Sequence, residues 1–133
     1  MDQINDITRS FEAGMRVVLR LRGVNDIVRF QRDMGVIISF CSLCRETYFT
    51  LLDILDSIDF LNGRGVSEQS MALLRKQYRD RIDMAMERVY GRREVAFDIL
   101  NACLGQDTVE PYRIFNQINA MIEKMKLRVL TSV

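Results

Sequence analysis

Residues 26–61 read DIVRFQRDMGVIISFCSLCRETYFTLLDILDSIDFL. Ile27, Met34, Cys41, Tyr48 and Leu55 recur every seven residues, and Phe30, Ile37, Cys44, Leu51 and Ile58 fill the complementary positions. Interleaved repeats of this kind are the a/d seam of a helix packed on another helix, sustained here over about five heptads. Val36, Ile38, Phe40, Leu43, Phe49, Leu52 and Ile54 widen the stripe, so the helix needs more than one partner. At 1.5 Å per residue the segment is about 54 Å long. A compact domain of this size has a radius of gyration near ~14 Å. The helix therefore outgrows its own globule. The expected solution is a hairpin projecting from a helical base, two of which close into a four-helix bundle across a twofold axis.

The neighbouring segments fit that plan. An amphipathic helix is expected over about 6–21, with Ile7, Phe11, Met15, Val18 and Leu19 on one face, Gly23 stopping it and Asn25 capping the next. Asn62, Gly63, Arg64 and Gly65 form a tight turn whose glycines supply left-handed backbone. Ser67 caps a third helix, with Met71, Leu74, Tyr78, Ile82, Ala85 and Val89 along its seam. It runs past Gly91, where a kink is expected, to Leu104, and Gly105 ends it. Thr108 caps a fourth helix with Pro111 in its first turn, where a missing N–H costs little, and Phe115, Ile118, Ile122 and Met125 on its apolar side. The reading is one all-α domain over 1–133. Residues 26–90 are the dimerisation hairpin with its tip at 62–65, and 91–133 are the base.

Composition narrows the function. Hydrophobic residues at 48% and charged residues at 28% describe a folded helical chain, and one proline leaves the helices few breakers. No uncharged apolar run reaches the ~18 residues of a membrane span, and the polar start MDQINDITRS does not read as a signal peptide. Three cysteines suit a reducing compartment better than a disulfide framework. Cys41 and Cys44 make a C-x-x-C inside an apolar helical run with no histidine anywhere, which favours core packing over a metal or redox site. The net charge of +1 exerts no general pull on nucleic acid. Residues 75–93 nonetheless collect Arg75, Lys76, Arg79, Arg81, Arg88, Arg92 and Arg93 against Asp80, Asp83 and Glu87, read as a solvated face ahead of a phosphate-facing one. Asp53, Asp56 and Asp59 are read as a solvent stripe. With no histidine and no glycine-rich phosphate loop after a strand, neither an enzyme nor a cofactor is expected.

The stretch VYGRREVAFDILNACLGQDTVEPYRIFNQ, residues 89–117, carries a resemblance. Tyr90-Gly91-Arg92 followed by a short helix with Val95, then Thr108, Tyr112, Arg113 and Asn116 without a gap, resembles the core (capsid) proteins of hepadnaviruses and of their non-enveloped fish relatives, the nackednaviruses. The specific match covers about 30 residues; the hairpin extends it as architecture. The resemblance implies a capsid protein that dimerises and self-assembles into an icosahedral shell around the viral genome. Its place would be the virion and, before assembly, the host cytoplasm or nucleus. The seams of the two hairpin helices give the expected dimer interface, Phe30, Ile37, Cys41, Cys44, Tyr48, Leu51, Leu55, Ile58, Leu74, Tyr78 and Ile82; the resemblance further implies a bend at Gly91-Arg92 and inter-dimer contacts by Leu100, Leu104, Pro111, Tyr112 and Arg113. Tyr112 would enter a neighbour's pocket lined by Leu100 and Leu104, with Arg113 against Asp107 or Glu110. The chain departs from the family in three places. IFNQINAMIEKMKL reads as helix where the family has a proline-rich arm, residues 1–32 lack its aromatic, proline-containing N-terminal segment, and its arginine-rich tail has no counterpart, so either viral nucleic acid is engaged by a tail outside this chain or the genome is packaged differently. Two other readings stand beside it: a dimeric helical-bundle adaptor, and a Bcl-2-like groove protein, to whose glycine-arginine motif YGRREVAF is similar but whose remaining helices have too little chain.

Overall fold

The computed structural model describes residues 3–23, 26–103 and 105–133. Its elements are α1 (Gln3–Gly23), α2 (Ile27–Leu61), α3 (Glu68–Ala102), a 3-10 turn (Gln106–Thr108) and α4 (Val109–Ser132), with no strand among the described residues. Local chemistry explains the boundaries. Asp26 is the N-cap of α2, its carboxylate accepting from the Arg29 N–H at 2.9 Å; the expected cap, Asn25, lies outside the described residues. Ser67 caps α3, its hydroxyl accepting from the Ser70 N–H at 3.2 Å. Gly63 and Gly65 take φ of 82° and 72°, the left-handed backbone that the turn between α2 and α3 demands. Thr108 occupies the N-cap of α4 but makes no cap bond; its hydroxyl donates back to the Gly105 carbonyl at 2.6 Å and closes the 3-10 turn.

Successive helices run up and down. Arg20 lies over Phe30, and Thr8 meets Cys41 and Arg45, so α1 runs antiparallel to α2. Tyr112 meets Asn101, Arg93 meets Glu123, Tyr90 meets Lys126 and Arg79 meets Val133, so α4 runs antiparallel to α3. α2 packs against each of the other three helices, and α1 also packs against α4. At the centre Phe11 of α1, Phe40 of α2 and Phe115 of α4 meet pairwise with ring centroids 5.4–6.3 Å apart. All three are buried, each worth about 2–3 kcal/mol of apolar burial.

This arrangement corrects the expected use of the α2 seam. Ile37, Cys41, Cys44, Leu51, Leu55, Ile58 and Ile82 are buried within a single chain, so they are core rather than dimer interface. Phe30, Tyr48, Leu74 and Tyr78 are only half-buried, and Phe30, Tyr48 and Tyr78 pack against that same core. The physical reason is that α1 and α4 fold back along the hairpin. The four helices thus pack together within one chain, and α1 and α4 cover much of the α2 seam. α4 ends beside Arg79, so only the tip-proximal turns of α2 and α3 project beyond it. By length and composition alone α2 would suffice to cross a membrane; here its apolar face lies against the other helices.

Candidate interaction surface

The face of the hairpin turned away from α1 and α4 carries a groove of about 700 Å³ between α2 and α3. On the α2 side it is lined by Gly35, Ser39, Ser42 and Glu46, spaced four, three and four apart and hence on one helix face. On the α3 side it is lined by Glu87, Arg88, Gly91 and Arg92. Ile38, 41% exposed, also lines it, and further along the same hairpin Met84 and Val95 are exposed at 66% and 42%. Glu46 and Arg88 approach to 3.8 Å, both well exposed, a contact of little energetic weight.

The two glycines on this face serve no purpose in the packing of their own chain. A Cβ built on Gly35 or on Gly91 would meet nothing within 4 Å. Neither has positive φ; among the described residues only Gly63 and Gly65 do. The helical hydrogen bonding of α3 continues through Gly91 and Arg92 without interruption. Glycine in a helix interior costs about 1 kcal/mol against alanine, so each is a local loss that the fold does not explain.

The residues expected to join dimers are held differently. Tyr112 is half-buried, its hydroxyl donating to Asn101 Oδ1 at 2.9 Å and its ring meeting Phe97 edge-on at 6.4 Å. Leu100 is fully buried in the core of its own chain, so it does not line an open pocket for a neighbour's side chain. Leu104 lies outside the described residues. Pro111 is buried in the first turn of α4. Arg113 pairs with Glu110 of its own helix, three residues away and exposed, and this partner holds the Glu110 carboxyl below its usual range. At the tip, Asn62, Gly63, Arg64 and Gly65 are exposed, and the Arg64 guanidinium lies 4.3 Å from the Phe60 ring centroid.

The titratable interior is structural. Cys41 Sγ donates to the Thr8 carbonyl at 3.7 Å, and Arg45 Nη1 bonds Thr8 Oγ1 at 2.9 Å and Glu12 Oε1 at 3.4 Å. Burial pushes the Cys44 thiol up to about 12 and raises that of Cys41 as well, with Glu12 adding to the Cys41 shift. Such thiols stay protonated and unreactive at neutral pH. No group of three or more His, Cys, Asp or Glu side chains converges among the described residues, and Asp53, Asp56 and Asp59 all point to solvent. Along the α3–α4 seam Arg93 donates to Glu123 at 3.2 Å and Lys126 to Tyr90 Oη at 2.9 Å. Nothing local in the sequence announces these pairs. The small-residue row at 35, 39 and 42, by contrast, was there to be read beside the heptads.

No protein-family model matches this chain, and neither a curated protein nor a solved structure does.

Proposed function

We propose that this protein is a non-enzymatic structural protein that associates with itself through the outer α2–α3 face, and that its dimers are the building blocks of a capsid-like shell. The observation that carries the first step is the Gly35–Gly91 pair. Both glycines line one groove from opposite helices, and their own chain needs neither. Small residues on a helix face let another helix approach closely enough for extensive van der Waals contact, a packing principle best documented inside membranes. The second step rests on the resemblance of Tyr90-Gly91-Arg92, Thr108, Tyr112 and Arg113 to hepadnavirus and nackednavirus core proteins, and on a long hairpin whose turn falls at residues 62–65.

A dimeric adaptor is the second reading. The engagement of Tyr112 by Asn101 and the burial of Leu100 favour it, because they leave the expected inter-dimer contact without a socket. Light scattering after size exclusion, with negative-stain electron microscopy of the same fractions, separates the two. Megadalton closed particles are the outcome expected of a shell protein, whereas a species that stops at a dimer is the adaptor. Gly91→Leu should abolish association in either case while helicity stays unchanged. A wild-type monomer at micromolar concentration rejects both.

A further inference from the structure

The corner where α1 meets α2 carries exposed aliphatic side chains together with exposed basic ones. Val17, Leu21, Ile27 and Val28 are 59%, 62%, 67% and 77% exposed. Interleaved with them, Arg16, Arg20, Arg29 and Arg32 are exposed as well. Among the described side chains of residues 16–33 are four arginines and two aspartates, a formal excess of two positive charges. Both aspartates are already counted in that balance. Asp26 is held by the Arg29 backbone N–H as the α2 cap, and Asp33 is shared between Arg29 at 3.8 Å and Arg32 at 3.6 Å. The acid that faces them from another element is Asp98 of α3, which leaves the sign unchanged. Arg20 lies 5.8 Å from the Phe30 ring centroid and so ties the last turns of α1 to the first turn of α2.

We propose that this corner docks on membrane surfaces rich in anionic lipid headgroups. Charge complementarity names the headgroups, and the exposed aliphatics distinguish a bilayer from other polyanions. A nucleic acid would satisfy the arginines and leave Val17, Leu21, Ile27 and Val28 in water. Consecutive residues on a helix point about 100° apart, so Ile27 and Val28 face different directions. A flat protein partner that covered one would leave the other exposed. A fluid interface covers both, because the corner dips into it. Aliphatic side chains at such a corner settle about 5–10 Å into the boundary between headgroups and acyl chains. Arginines around them keep their guanidinium groups at the phosphates.

Co-flotation of the full chain with phosphatidylcholine vesicles, with and without phosphatidylserine, tests this. Binding should require phosphatidylserine and weaken as salt is raised. Replacing Leu21→Ser and Val28→Ser together should weaken it by about tenfold, and Arg16→Gln with Arg20→Gln by a similar factor; all four side chains are exposed, so circular dichroism should not change. Gly91→Leu, which tests the α2–α3 groove, should leave vesicle binding intact. Failure to float with phosphatidylserine vesicles, equal binding to neutral ones, or undiminished binding by the serine variant overturns the proposal. So does an oligonucleotide that binds tightly to wild type and serine variant alike, which would give the arginines to nucleic acid.

Discussion

Tyr112, in the first turn of α4, donates its hydroxyl hydrogen to Asn101 Oδ1 at the end of α3, 2.9 Å away, while its ring meets Phe97 edge-on. The residue therefore clamps the 3-10 turn that reverses the chain between α3 and α4. Tyr112→Ala should destabilise the isolated chain by about 2 kcal/mol, less than a full aromatic deletion because the ring is half-buried. Tyr112→Phe should cost about 1 kcal/mol at most, the net worth of a hydrogen bond of this kind. Urea titrations followed by circular dichroism read both. An unchanged midpoint for the alanine variant would return the residue to assembly alone.

Gly91→Ala should stabilise the chain by up to about 1 kcal/mol, read as a raised midpoint of chemical denaturation. The helix is continuous there and the added methyl meets nothing within 4 Å. A loss of stability would mean that α3 relies on a bend at this position.

Leu51→Asp should unfold the chain itself. Leu51 is fully buried, and an unpaired carboxylate in that place costs several kcal/mol, on the order of 4 or more. Far-UV circular dichroism at low concentration separates this outcome from the release of folded monomers. A helical monomer with this substitution would put the seam back at a subunit interface.

Thiol titration with an aromatic disulfide should find Cys41 and Cys44 silent until denaturant is added, since both are fully buried. Their folded pKa values lie above the ordinary 9.0. Stability from this source is thus complete below pH ~9 and declines as pH rises above that value, where only the unfolded chain releases the protons. Cys44→Ala should flatten the part of the alkaline decline that belongs to Cys44, between 9.0 and about 12. Rapid labelling of the native protein would show that these thiols reach solvent.

The apolar faces could be read from sequence because helical periodicity is local. Phe11, Met15, Val18 and Leu19 of α1 and Phe115, Ile118, Ile122 and Met125 of α4 are buried as their spacing indicates, with Ile7 half-buried against the same core. The caps and turn were nearly as plain, Ser67, Gly63 and Gly65 among them, because each depends on the backbone within a few residues. The molecule that covers the seam of α2 was a different matter. A heptad repeat states how much surface must be hidden and along which line, and a helix of the same chain or of another hides it equally well. That choice depended on whether residues 109–132 fold back along the hairpin. They do so through contacts far apart in sequence: Phe115 on Phe40 and Phe11, Arg93 to Glu123, Lys126 to Tyr90. Only the tertiary structure brings those residues together. By packing the four helices together within one chain, it left Gly35 and Gly91 on the open face of the hairpin and the arginines with their aliphatics at the α1–α2 corner.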